Sequence, residues 1–378
     1  RLKTCRPAVA FIFLGMVIAV ALLSTGTVYA QPGEPPQFPP APEPGIDNQE
    51  CLACHGRPDQ QITLPSGEIL YLTIDEAEYA HSVHGRDGYA CVQCHSDLTG
   101  YPHPTLEAQT RREVTLNMFY TCARCHSDKY SDAADDVHRM AQAAGDDNAA
   151  VCSDCHGAHN VQAIDEQVAT AIPATCERCH SDIYNHYAEG IHGAALIGEG
   201  NPDVPTCIDC HGVHTVQGPH NSPLRLDSPL ICAECHADDE LMDEYGLSTD
   251  VFDTYVADFH GTTLVLFDQE VEGQDLNTPV CIDCHGVHDI RSSSDPNSSI
   301  NESNLIKTCQ KCHPDAEGTF SEAWLGHYRP DPQKFPIVSF VELFYRILIP
   351  VVLGGMAILV LMDFTRRMVN RYQESRHG

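Results

Sequence analysis

Eighteen of the chain's nineteen cysteines fall in nine C-x-x-C pairs, and a histidine follows every pair immediately. With histidine at about one residue in seventeen, nine such coincidences have a chance probability on the order of 10⁻¹¹. Zinc ribbons need paired C-x-x-C knuckles with no obligatory following histidine, and nine pairs do not couple evenly. Disulfide frameworks impose no such triplet. C-x-x-C-H is the attachment sequence of c-type haem. The two thiols can each bond a vinyl group on one edge of the macrocycle, and the histidine sits under the iron as proximal ligand.

The motifs are Cys51/Cys54/His55, Cys91/Cys94/His95, Cys122/Cys125/His126, Cys152/Cys155/His156 and Cys176/Cys179/His180, followed by Cys207/Cys210/His211, Cys232/Cys235/His236, Cys281/Cys284/His285 and Cys309/Cys312/His313. Two flavours alternate. The second, fourth, sixth and eighth close a repeat, and three of these four read C-x-x-C-H-G-x-H, ending at His159, His214 and His288. The others open a repeat, often as C-H-S-D or C-H-A-D. The clearest unit runs from Thr175 to His214, and the whole reads as four two-haem repeats plus a half repeat. Repetition of this kind marks a stacked array, here stacked on cofactors rather than on apolar helix faces. The expected fold is mainly α and irregular, with a hairpin over Gln61–Leu64 and Glu68–Ile74. Short helices are expected at Asp75–His84, Asp182–His192 and Asp250–His260, each opened by an Asp cap and ended before Gly.

Nine proximal histidines leave thirteen others, and nine of these sit at repeat-consistent positions. His84, His138, His192, His260 and His327 follow opening motifs, whereas His103, His159, His214 and His288 follow closing ones. Nine candidates for nine sixth positions imply bis-histidine ligation throughout. His81, His186, His220 and His377 are left over. The first repeat is irregular, because His103 lies eight residues after His95 rather than three. His81 competes with His84 there, and Met118, Met140 and Met242 are alternative ligands. Bis-histidine iron lacks the thioether that raises the potential of Met/His cytochromes and leaves no open position, which favours electron transfer over chemistry at iron.

Both ends carry membrane signals. Residues 1–30 hold Arg1, Lys3 and Arg6, an apolar run from Ala8 to Leu23, and Thr27-Val28-Tyr29-Ala30. Together these read as a signal peptide, with a retained anchor as the alternative. Residues 31–49 are a Pro-rich spacer. Residues 50–330 form the expected haem domain. Residues 337–362 are apolar apart from Glu342 and Arg346 and are long enough to span a bilayer. Trp324, Phe340, Phe344 and Tyr345 suit an aromatic belt. Arg366, Arg367, Arg371 and Arg376 in the tail 363–378 place that tail in the cytoplasm and the haems outside. A formal net charge of −31 excludes a nucleic-acid role driven by phosphate neutralisation, and suits either solubility or a basic partner.

On its C-H-G-x-H closures, the Ser82-Val83-His84-Gly85 segment and its exported body with one C-terminal helix, the chain resembles bacterial multihaem cytochromes of the doubled C-x-x-C-H type. The resemblance covers roughly residues 50–330. It implies nine covalent haems and a membrane helix associated with a cytochrome b or quinol-oxidising subunit, relaying electrons to an extracytoplasmic acceptor. A rival expectation is a reductase of nitrogen or sulfur oxyanions with one open haem, for which the irregular first motif is the candidate. A third is an assembly subunit bridging larger partners.

Overall fold

The computed structural model describes residues 47–98, 100–163, 169–218, 224–267, 278–322, 326–327, 329, 331–333 and 335–377. The stretch 1–30 read as a signal peptide, all but the end of the Pro-rich spacer, and His220, Trp324, Tyr328 and Pro330 lie outside these residues.

The described chain is mainly helical. Its one sheet is the expected hairpin, Gln61–Thr63 against Ile69–Tyr71, antiparallel with Ile62 opposite Leu70. Gly67 makes the turn at φ +89°, where a Cβ would be strained.

The two motif flavours correspond to two local structures. Opening motifs start in the last turn of a helix: Asn48–His55, Arg111–Ala123, Ala171–Glu177, Leu224–His236 and Glu302–Gln310. Closing motifs are single helical turns, Cys91–Cys94, Cys152–His156, Cys207–His211 and Cys281–His285. So short a helix needs its ends satisfied. The residue before the second cysteine turns back on each: the N–H groups of Ala90, Val151, Thr206 and Val280 donate to Gln93, Asp154, Asp209 and Asp283 at 2.8, 2.8, 2.6 and 2.8 Å. Gly157, Gly212 and Gly286 then leave the turn at φ +75°, +81° and +85°, which explains the Gly of C-H-G-x-H.

The three helices expected to run up to a distal histidine are instead broken just before it. They occupy Glu76–His81, Ser181–Glu189 and Val251–Ala257, and helix resumes at Val83–Arg86, Ile191–Gly193 and Phe259–Phe267, through the His-Gly pair rather than ending at it. The breaks at Gly190 and Asp258 are extended, with ψ 163° and 162°. Of the expected Asp caps, only Asp75 holds, accepting from the N–H groups of Ala77 and Glu78 at 2.9 and 3.0 Å. Asp182 lies inside its helix's first turn, and the Asp250 carboxylate meets Arg329 at 2.7 Å instead.

The chain divides into two compact units, Arg1–Ala80 with His84–Asp132, and His81–Val83 with Ala133–Gly378. The first buries Leu64, Ala90, Val92, Ala108, Phe119 and Ala123; the second has a small cluster of Tyr255, Leu264 and Val280, flanked by Leu226, Val256 and Ile282. Prolines and glycines aside, only fourteen apolar residues are buried among those described, and five are alanines. Side chains alone therefore supply little of the apolar burial that a chain of this length needs.

The last helix runs from Pro336 to His377 and contains Pro350. It is long and apolar enough to cross a membrane. Glu342 and Arg346 pair one turn apart at 3.4 Å, and Asp363 pairs with Arg367 at 2.8 Å beyond the apolar run.

Candidate metal centres

Eight of the nine C-x-x-C-H histidines face a histidine from the distal set. Ring centroids are 5.9 Å apart for His55–His103 and His211–His288, and 6.1 Å for His138–His180, His156–His214 and His285–His327. They are 6.2 Å apart for His84–His126 and His192–His236, and 6.3 Å for His260–His313. Two imidazoles on opposite sides of one metal, each about 2.0 Å from it through nitrogen with about 1.1 Å more to the ring centre, would stand roughly 6.2 Å apart. Aromatic pairs in general reach such separations. Here, however, each of the eight joins one motif histidine to one distal candidate. His95 belongs to the first unit and His159 to the second.

The pairing follows a rule. Opening motifs take their partner from the preceding repeat, as His126, His180, His236 and His313 do from His84, His138, His192 and His260. Closing motifs take theirs from the following repeat, as His156, His211 and His285 do from His214, His288 and His327. His55 opens the first repeat with none before it, and it takes His103 from its own.

Ring orientation divides the same way. Distal histidines on helical turns give planes 44° to 55° apart, whereas His103, His214, His288 and His327, outside helices, give 17° to 27°. Recurrent backbone bonds hold the distal segments together within the second unit. The N–H groups of Val83, Val137 and Ile191 donate to the carbonyls of Val161, Val216 and Ile290 at 2.9, 3.1 and 2.7 Å.

Several rings are oriented through Nδ1, which leaves Nε2 for a metal. His55 donates to the Leu72 carbonyl at 2.9 Å, His211 to Gln217 at 2.8 Å, and His103 to Gly100 at 2.9 Å. His138 donates to Asp136 Oδ1 at 3.1 Å, the carboxylate–histidine arrangement that raises ligand basicity. Burial, with a neighbouring imidazole in each case, pushes His192 and His285 down to about 4. They are therefore neutral donors near pH 7.

The motif cysteines form no disulfides among the described residues. Successive motifs adjoin through them. Within repeats, Cys51 hydrogen-bonds Cys91, Cys176 bonds Cys207, and Cys232 bonds Cys281. Between repeats, Cys94 neighbours Cys122 and Cys125, Cys155 neighbours Cys176, Cys210 neighbours Cys232 and Cys235, and Cys284 neighbours Cys309 and Cys312. Each unit thus carries an unbroken succession of motifs.

The two thiols of a motif differ in exposure. The first cysteine is half-buried in all nine motifs, whereas the second is exposed in seven. Cys54 and Cys179 show the difference: each is exposed, while Cys51 and Cys176 of the same motifs are half-buried. The reason is local. Cys51 and Cys176 sit in helix against the closing motif of their repeat, through Cys91 and Cys207. Cys54 lies in the last turn of Asn48–His55, and Cys179 follows the C-cap Arg178 of Ala171–Glu177, where the helix ends and gives less cover.

One set of positioning residues was not singled out from the sequence. The hydroxyls of Tyr79, Tyr187 and Tyr255 donate to the carbonyls of Tyr89, Pro205 and Pro279 at 2.7, 2.7 and 3.1 Å, each two residues before a closing motif. The same tyrosines' carbonyls lie under the glycine after a distal histidine. A Cβ at Gly85, Gly193 or Gly261 would stand 1.9, 2.0 or 2.2 Å from them. The spacing Tyr-x₅-Gly around His84, His192 and His260 is the sequence signal. At His138 both Tyr and Gly are missing, and Asp136 takes over, accepting also from the Val216 N–H at 2.9 Å.

Of the competing ligands, His81 ends the helix Glu76–His81 while His84 faces His126. Met242 is buried as packing, and His186 lies within the helix Ser181–Glu189. Among the described residues, no group of three or more His, Cys, Asp or Glu is arranged to hold a bare metal ion. No protein-family model matches this chain, and no curated protein matches it either.

Proposed function

We propose that this chain is a membrane-anchored, extracytoplasmic nonahaem c-type cytochrome. In this reading it relays electrons between a membrane quinol or cytochrome b system and an acceptor outside the cytoplasm. The observation that carries the reading is the set of eight histidine pairs at 5.9 to 6.3 Å, each built on a C-x-x-C-H motif. Two imidazoles would supply two ligands of a six-coordinate iron, and a porphyrin anchored through the paired thiols would supply the other four. The scarcity of buried apolar side chains fits a body packed around such rings.

When bound, haem supplies a one-electron iron couple. The protein holds the imidazoles opposite one another, keeps His192 and His285 neutral by burial, and fixes the tautomer of His55, His103, His138 and His211 through carbonyls and Asp136. His103 opposite His55 speaks against the first motif as the open site of the reductase reading. The helix Pro336–Gln373, with Arg366, Arg367 and Arg371 at the end of its apolar run, would place the body outside the membrane and the ninth motif nearest to it. Purified protein should yield nine haems per chain by alkaline pyridine assay, and membranes carrying it should reduce them on addition of a quinol. Protein lacking covalent haem, or one that turns over nitrite or hydroxylamine, would refute the reading.

A further inference from the structure

The residue before the second cysteine of an opening motif differs from repeat to repeat: Ala53, Arg124, Arg178, Glu234 and Lys311. The three cations reach back to the preceding closing motif. Arg124 Nη1 donates to Ser96 Oγ at 2.7 Å. Arg178 Nη2 donates to the Asp154 carbonyl, and its Nε to Thr175 at 3.3 Å. Lys311 Nζ donates to the Asp283 carbonyl at 3.5 Å. The position is thus a recurrent clasp between one motif and the next, set where two haems adjoin. Glu234 occupies it with the opposite charge. It lies exposed on the helix Leu224–His236, beside Cys210 and Cys235 together with Asp209.

The closing partners complete the contrast. Gln93 is neutral and so does not offset Arg124. Asp154 offsets Arg178. Asp283 is offset by Lys311 and also by Arg225, which meets it at 2.7 Å. Asp209 and Glu234 add rather than cancel. A nearby cation favours the reduced, less positive iron, and an anion favours the oxidised one.

Resting on the haem reading above, we propose that this clasp position tunes the potentials of the haems at each junction. Glu234 then makes the junction between Cys207–His211 and Cys232–His236 the low-potential step of the chain. Each electron crossing it reduces one iron as its neighbour is oxidised, so electrons collect on the haems either side.

The test is a spectroelectrochemical titration of the full-length holoprotein, wild type against Glu234→Gln, Glu234→Arg and Arg178→Gln, with haem counted first. We expect Glu234→Gln to move one component of the curve upward and Glu234→Arg to move it further. Arg178→Gln should move a different component downward. These shifts should shrink at high salt, because exposed charges are screened. Superimposable curves with nine haems present would overturn the tuning role and leave the cytochrome reading standing. A shift insensitive to salt would overturn it too, since it would reflect structure rather than charge. Absence of haem would overturn both, and the count reads that outcome separately.

Discussion

The His103 ring stands opposite that of His55, with centroids 5.9 Å apart and planes 22° apart, although the two belong to the same repeat. Every other opening histidine draws its partner from the repeat before. His55 instead faces His103 of its own repeat, the one distal candidate that departs from the closing spacing; in the haem reading it is the sixth ligand there. His103→Ala is therefore expected to convert one haem in nine to a high-spin form, whereas His81→Ala changes nothing; EPR of the two variants checks both.

The Tyr straps join a distal histidine's helix to the adjacent closing motif. Tyr187→Phe removes the 2.7 Å bond to the Pro205 carbonyl and should cost about 0.5–1.5 kcal/mol. Tyr255 is also buried in the cluster with Leu264 and Val280, so Tyr255→Ala should cost about 3–5 kcal/mol. Thermal unfolding of the two variants ranks them. Equal losses would count against the strap.

Gly193→Ala places a Cβ 2.0 Å from the Tyr187 carbonyl, a backbone atom that cannot swing away. The His192 turn must shift, with an expected loss of about 1–3 kcal/mol and a changed low-spin signal for the iron it serves. Gly198→Ala, where nothing lies within 4 Å of the added methyl, is the matched control.

How much of this is legible in the sequence follows from what each feature depends on. Motif identity, the two flavours and the distal histidine set are local patterns, and they can be read directly. The hairpin is readable because Pro65-Ser66-Gly67 punctuates two alternating runs. Partner choice is not, because ligands cross between repeats and nothing near His192 names His236. The unequal exposure of paired thiols, with Cys54 and Cys179 open beside half-buried Cys51 and Cys176, is hidden too. The motif treats its cysteines alike, and only the helix end tells them apart. The helices before His84, His192 and His260 end earlier than the pattern suggests, and a Tyr carbonyl from the earlier helix packs against the glycine after each histidine. Asp250 looks like a cap, but Arg329, far along the chain, claims it.

Asp136 accepts from the His138 side chain at 3.1 Å, from the His138 N–H at 2.7 Å, and from the Val216 N–H at 2.9 Å. Burial pushes its carboxyl up, but these hydrogen bonds outweigh burial and hold it below the usual carboxylate range. Its contribution to stability is thus fully present above the ordinary carboxylate pKa, and it is lost as pH falls through the lowered one. Asp136→Asn should cost about 1–3 kcal/mol at pH 7 and flatten the acid limb of the stability curve. An unchanged acid limb in chemical denaturation from pH 7 to 3 would count against it.

The most direct test of the central claim is low-temperature EPR of the oxidised protein with haem quantified in the same sample. Trans imidazoles at every iron predict low-spin signals accounting for all nine haems. The two classes of ring orientation predict two families among them, because relative ring angle sets the splitting of the iron d orbitals. A high-spin signal integrating to one or more haems per chain would contradict the account.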